Sequence, residues 1–317
     1  MIDSLVKKSK LPTFVAPMGK GLVDETLPNF AGVYSGDGSF DSVREYIEAS
    51  DCVLSIGGIQ SDFNTTGFTY KIPPEALLDL HTNFSIINNT RYDLDMPSLV
   101  QAIEAHLDPS HMKTTSVNLP FSRIRANAPS SQDQYPPGTI TQEYLWSKLS
   151  DWVQPHDILI TETGTSYLGD WDTQFKSGMT AISQTLWSSI GYALPAAQGA
   201  ALASRELGSK QRVILFEGDG SFQLTAQAIS DMVRHKLDLI VFLLNNDGYT
   251  IERWVHGMEA GYNDISGWRY TDIPRAMGGD GSLVKTFKVA TKEEMEALWM
   301  DPEFWNRKGL RVSLERE

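Results

Sequence analysis

Short apolar runs alternate along this chain with segments whose apolar residues recur every three or four positions. Thr13-Phe14-Val15-Ala16, Cys52 to Ile56 and Phe84 to Asn88 read as strands. Asp41 to Ser50 sets Val43, Tyr46 and Ile47 on one helical face, and Pro97 to Leu107 has the same spacing. Strands and helices taking turns predict an α/β fold, a parallel sheet with helices on its faces. Asn127 to Gly138 breaks the pattern: it is polar, rich in proline and serine and without a period, as a domain linker is. Thr139-Ile140-Thr141-Gln142 then fits a capping box, with Thr139 as cap and Gln142 reaching back. A second alternation follows: a strand over Asp157 to Thr161, an uncharged helix, a strand over Arg212 to Phe216, a helix over Gln223 to His235 and a strand over Leu239 to Leu244. No internal repeat is visible.

The uncharged stretch from Ser177 to Ser204 is long enough to cross a bilayer. Its Ser183, Gln184, Ser188, Ser189, Pro195 and Gln198 would face lipid on a single span. A buried helix with a small-residue face (Gly191, Ala196, Ala197, Gly199, Ala200) is expected instead.

Composition narrows the function classes. A length of 317 residues predicts about two domains. With 41% hydrophobic and 21% charged residues the chain is globular, neither disordered nor fibrous. Twenty-seven Lys and Arg against 40 Asp and Glu give a net charge of −13, and Lys7-Lys8-Ser9-Lys10 is too short to reverse it locally. A nucleic-acid or membrane partner is therefore not expected. One cysteine, Cys52, excludes an internal disulfide framework and fits a reducing, cytoplasmic setting. Within its apolar run it reads as a buried small hydrophobe. No signal peptide is visible at the start. The six histidines are scattered, and the tryptophans, Trp146, Trp187 and Trp254 among them, are expected in the core.

Chemistry concentrates in one place. Arg212 to Phe216 runs through Glu217 into Gly218-Asp219-Gly220-Ser221; a helix follows, then Leu239 to Leu244, then Asn245-Asn246-Asp247-Gly248. Asp219 and Asn246 thus fall just past the ends of two strands joined by one crossover helix, where open α/β sheets bind ligands. A carboxylate, an amide oxygen and a backbone carbonyl are hard donors that, with a diphosphate, complete an octahedron around Mg²⁺. The glycines let backbone approach phosphate. The chain carries a decoy: Gly36-Asp37-Gly38-Ser39 repeats the four letters, with Asn64 at the same 27-residue spacing as Asn246 from Asp219. It lacks paired asparagines, and Asn64 stands eight residues past its strand, so a turn or helix cap is expected there.

The full string, Gly218-Asp-Gly-Ser-Phe-Gln-Leu-Thr225 and then Leu244-Asn-Asn-Asp-Gly-Tyr-Thr-Ile-Glu-Arg253, resembles the thiamine-diphosphate-dependent 2-oxo acid decarboxylases, most closely the fungal pyruvate decarboxylases. Pro17-Met-Gly-Lys-Gly21 and Ser61-Asp-Phe-Asn-Thr65 resemble that family's middle domain. Glu162-Thr-Gly-Thr-Ser166, Ile182 to Gly191, His256-Gly257 and Tyr262-Asn-Asp-Ile265 continue the likeness. It implies two parallel-sheet, three-layer domains. These are an incomplete Rossmann-like middle domain over 1–125 and, after a linker over 126–138, a diphosphate-binding domain over 139–317. It also implies that Asp219, Asn246 and Gly248 hold Mg²⁺ and the diphosphate, and that Gly218, Gly220 and Ser221 shape the pocket. Ile190 would wedge the cofactor into its bent form, a task for a stiff branched side chain. Ser188, at a position usually glycine, would offer its backbone carbonyl, and Thr163 and Thr165 would lie near cofactor and substrate. Glu252 would be the catalytic glutamate, which needs burial to work near neutral pH; alone it reads as a surface carboxylate paired with Arg253 or a neighbour.

No stretch matches the family's first, pyrimidine-binding domain, and there is no His-His pair. The likeness therefore implies the C-terminal half of a lyase, most simply one converting pyruvate to acetaldehyde and CO₂, with indolepyruvate or phenylpyruvate as alternative substrates. It also implies a homo-oligomer or association with full-length subunits. Isolated, the chain is expected to bind the cofactor weakly and turn over little. The alternative is a catalytically inactive module that associates with full-length decarboxylase subunits.

Overall fold

The computed structural model describes residues 2–112, 135–306 and 308–316. The chain divides into two compact units, one of residues 1–126 with 174–178, the other of residues 127–173 with 179–317. Residues 126–134 of the expected linker lie outside the described residues.

The first unit runs α1 (Ile2–Ser9), β1 (Thr13–Val15), β2 (Phe30–Val33), α2 (Asp41–Glu48), β3 (Val53–Ile56), β4 (Leu77–Leu80), β5 (Ser85–Ile87), β6 (Thr90–Tyr92) and α3 (Met96–His106). Val43 and Ile47, one turn apart, are the buried face of α2. Strands β1 and β2 pair in parallel, as do β3 and β4. The sheet then turns antiparallel through β5 and β6. Two turns do this: between β4 and β5 the His81 N–H donates to the Phe84 carbonyl at 2.9 Å, and between β5 and β6 Asn88 and Asn89 have positive φ, +48° and +60°, the twist that a two-residue hairpin needs and that asparagine tolerates. Cys52 lies just before β3 and is exposed, contrary to the buried reading. Lys20 and Glu25 form a buried ion pair at 2.7 Å, and the Glu25 carboxylate also accepts the Phe175 N–H at 3.0 Å. Segment 174–178 is thereby fastened into this unit.

The second unit holds α4 (Gln142–Trp152), β7 (Ile158–Thr161), α5 (Thr165–Gly169), β8 (Thr180–Ile182), α6 (Ala193–Glu206), β9 (Val213–Gly218), α7 (Asp219–Thr225), α8 (Ala228–Arg234), β10 (Leu239–Asn245), α9 (Thr250–His256), α10 (Ile273–Ala276), β11 (Val284–Val289), α11 (Lys292–Met300), α12 (Pro302–Asn306) and β12 (Leu310–Arg316). Six parallel strands lie in the order β11-β12-β10-β9-β7-β8. Leu239 to Leu244 are buried without alternation, as expected of a central strand covered on both faces.

Three local readings change. The cap of α4 is Thr141, whose hydroxyl accepts the Tyr144 N–H at 3.3 Å, not Thr139; Ile140, buried just ahead, delays the helix. The uncharged stretch is helical only from Ala193, and α6 buries Ala193, Leu194, Ala197, Ala201 and Ser204 while Gly199 is exposed. The helix expected over Gln223 to His235 is two, α7 starting directly from β9 and α8 following. Among the described residues no helix is long and apolar enough to cross a membrane.

Candidate cofactor site

The chain leaves β7 for β8 on one side and returns to β9 on the other, so strand order reverses between β7 and β9. At such a reversal the loops after the two strands diverge and open a crevice. Thr163, Gly164 and Thr165 follow β7; Gly218 ends β9, with Gly220 and Ser221 in the first turn of α7; Asn246 and then Gly248 to Glu252 follow β10. Together with Ile190 they line a cleft enclosing about 470 Å³ of solvent-open space. Thr163, Thr165, Ile190, Gly218, Gly220, Ser221, Asn246, Gly248 and Glu252 were singled out from sequence, and all line it.

Asp219 is not among the lining residues; 1% exposed, it lies behind them, between the lining glycines Gly218 and Gly220. Its Oδ1 accepts the Gly220 N–H at 2.8 Å, and both its oxygens accept the Gly248 N–H at 3.2–3.3 Å. Burial pushes this carboxyl up to about 6, although those N–H groups favour its charged form. Gly220 passes so close to the Tyr249 ring that a Cβ would lie 2.8 Å from it. Gly248, at φ +128°, has a backbone that side chains rarely adopt.

These residues fit a divalent cation and a diphosphate. Asp219 is a desolvated carboxylate that, among the described residues, has no lysine or arginine paired with it. No group of three His, Cys, Asp or Glu side chains with metal-binding geometry occurs among the described residues. A cation here would take one carboxylate, with amide, backbone and phosphate oxygens for the rest, the donor set of Mg²⁺.

The wall opposite is organised by Glu162. Its Oε1 accepts the Thr163 N–H at 2.7 Å, and its Oε2 accepts the N–H groups of Gly191 and Ala193, both at 3.1 Å. Beside it stands Glu217, fully buried, with no N–H or O–H donor on either oxygen among the described residues. Burial, and then the facing Glu162 charge, drive Glu217 well above the carboxylate range. Burial also raises Glu162, against the three N–H groups it accepts.

Other expected residues stand apart. Ser188 does not line the cleft; it has φ +46°, the left-handed conformation for which glycine is the default, and its N–H donates to the Gln184 carbonyl at 2.8 Å. Glu252 lines the cleft but is 41% exposed and pairs with His256 at 3.3 Å, not with Arg253. The burial expected for it is absent, because α9 has no buried residue. Trp187 and Trp254 are 80% and 78% exposed, contrary to the core reading, while Trp146 is buried. At the decoy, Asp37 pairs with Lys71 at 3.3 Å and with Arg44 at 3.5 Å, so it is a cation-neutralised turn.

Sequence reasoning passed over Tyr249, Thr250 and Ile251, which also line the cleft. Their signal was their place between Gly248 and Glu252. The Glu162–Glu217 pairing carried no signal, since a carboxyl within a strand does not announce what faces it.

Comparison with known proteins places this geometry. Residues 1–115 match the central domain of thiamine pyrophosphate enzymes. Residues 163–301 match the C-terminal TPP binding domain of the same enzymes. A pyruvate decarboxylase of Aspergillus fumigatus is 47% identical over 304 residues, 96% of this chain and 52% of that protein. Pyruvate decarboxylase isozyme 1 of Saccharomyces cerevisiae is 39% identical over 310 residues, 97% of this chain and 54% of that protein. The crystal structure of a benzoylformate decarboxylase from Polynucleobacter necessarius shares the fold at a TM-score of 0.72 and 20% identity, over 99% of this chain and 57% of that one. The chain thus spans about half the length of the curated relatives it matches. It belongs to the thiamine pyrophosphate enzymes and carries their central and C-terminal cofactor-binding domains.

Proposed function

We propose that the protein to which this chain belongs removes CO₂ non-oxidatively from a 2-oxo acid, with pyruvate as the first candidate and acetaldehyde as the product. Thiamine diphosphate and Mg²⁺ would be held in the cleft after β7, β9 and β10. The observation that carries this reading is the buried Asp219 carboxylate, without a paired cationic side chain among the described residues, between two glycines that line the cleft. The bound cofactor would supply an electron sink for the departing CO₂.

The chain's own residues divide the remaining work. Asp219, the Asn246 side chain and the Gly248 carbonyl are assigned to Mg²⁺, with Gly218, Gly220 and Ser221 shaping the diphosphate end. Ile190 is assigned to wedging the cofactor, the Ser188 carbonyl to its pyrimidine side, and Thr163 and Thr165 to the reacting end. Glu252 is assigned to proton transfer at the substrate; with its side chain 41% exposed, something beyond α9 must exclude water there. Trp187, Trp254, Val255 and Tyr262, large apolar side chains each more than 65% exposed, support association with a further chain. The units are assigned as a central domain over 1–125, a linker over 126–138 and a cofactor domain over 139–317.

The test is titration of the full chain with thiamine diphosphate and Mg²⁺, wild type against Asp219→Ala, followed by an aldehyde-release assay with pyruvate, phenylpyruvate and indolepyruvate. Mg²⁺-dependent binding lost in the variant is the expected result. Equal binding by both proteins would overturn the assignment.

A further inference from the structure

Arg253 stands on α9 with its guanidinium turned back toward the Asn246-Asp247-Gly248 turn. Its side chain is only 15% exposed, on a helix none of whose residues is fully buried. Nη2 donates to the Asp247 carbonyl at 2.5 Å and to Asp264 Oδ1 at 2.9 Å, and Nη1 donates to the Asn246 carbonyl at 3.4 Å. Gly248 leaves room for this approach: a Cβ there would lie 2.8 Å from Nη2 and 2.3 Å from the Asn263 carbonyl. The next residue is tied to the same side, since the Tyr249 N–H donates to that Asn263 carbonyl at 3.0 Å. Two carbonyls of the turn therefore point outward at a permanently charged, planar fork, aimed in turn by a carboxylate. A carbonyl committed to an outward partner leaves the turn fewer ways to rotate. The groups facing the cleft, the Gly248 N–H on Asp219 among them, inherit that rigidity.

We propose that Arg253, aimed by Asp264, is a positioning residue that fixes the 246–248 turn so that the Asn246 side chain and the Gly248 carbonyl are preset for a divalent cation. The inference rests on reading the cleft as a metal–diphosphate anchor. It goes beyond that reading in assigning the precision of the anchor to a side chain that does not touch the ion. Lysine, a single-point donor, cannot hold two carbonyls and a carboxylate together.

The experiment titrates Mg²⁺ into the full chain at fixed thiamine diphosphate, by calorimetry at 10 °C, for wild type, Arg253→Ala, Arg253→Lys and Asp264→Asn. Ligand-free melting and amide exchange at residues 247–249 are measured in parallel. Arg253→Ala is expected to weaken Mg²⁺ binding about tenfold or more, with Arg253→Lys between it and wild type and Asp264→Asn losing less. Ligand-free melting should stay within about 2 °C of wild type, and the 247–249 amides should exchange faster in Arg253→Ala. Wild-type affinity in Arg253→Ala, or full rescue by lysine, overturns the positioning role alone. An affinity loss matched by a general fall in melting temperature reduces Arg253 to a fold-stabilising residue and overturns it too. Absence of Mg²⁺-dependent binding in the wild type overturns the anchor and this inference together.

Discussion

Asp37 and Asp219 stand between the same neighbours, glycine before and Gly-Ser after, but the first side chain is 45% exposed and the second is buried. Asp37 faces Arg44 and Lys71 and is neutralised by its own unit. Asp219 faces only backbone N–H groups among its described hydrogen-bond donors, and burial makes its charge costly. The difference lies in what precedes and follows. Gly36 opens a single 3₁₀ turn off a two-stranded pair, whereas Gly218 ends an inner strand beside a reversal of strand order. Four identical letters become an exposed, cation-paired turn in one place and a buried carboxylate in the other because the sheet position decides their solvation.

The comparison is broken most directly by exchanging the aspartates' fates. Asp219→Ala should lower Mg²⁺-dependent thiamine diphosphate affinity roughly a hundredfold, while Asp37→Ala changes it less than about twofold, as read by calorimetry. Acid should do reversibly what the first substitution does. A carboxyl at about 6 must lose its proton to bind metal, so affinity should fall about tenfold per pH unit below that value and level off above it. The glycines separate next. Gly220→Ala puts a Cβ against the Tyr249 ring and should cost roughly fivefold in affinity with little change in unfolding free energy. Gly36→Ala, at φ +60° with a Cβ 2.3 Å from Thr69 Oγ1, should cost about 1–3 kcal/mol of stability by denaturant titration and leave affinity unchanged. The smallest effect belongs to Glu217. Its raised carboxyl contributes stability that is present in full below its ordinary value near 4.5 and is lost as pH rises through the raised value. Glu217→Gln keeps a donor toward Glu162 without titrating, so its melting temperature should vary less with pH over that range.

Much of this was legible in the residues. Two apolar runs flanking one crossover, each ending in glycine and acid or amide, place Asp219 and Asn246 at adjoining strand tips, and β9 and β10 do pair in parallel. What escaped was set by contacts that no local pattern encodes. The Asn88-Asn89 hairpin depends on two positive φ values in a stretch that also reads as strand. Thr139 and Thr141 are equal as caps until Ile140 is seen to be buried. Trp187 and Trp254 look like core by composition, and only their surroundings reveal them as surface. Glu252 carries a motif's signature, but its solvation comes from neighbours that α9 does not supply.

Glu162 has a mechanical consequence. One carboxylate staples Thr163 to Gly191 and Ala193, so two sides of the cleft, including the Ile190 loop, must travel as a single jaw. α9, on the opposite side and beyond the Arg253-held turn, has no residue sunk in the core. In amide exchange the Gly191 and Ala193 N–H groups are therefore expected to stay protected while those of α9 open.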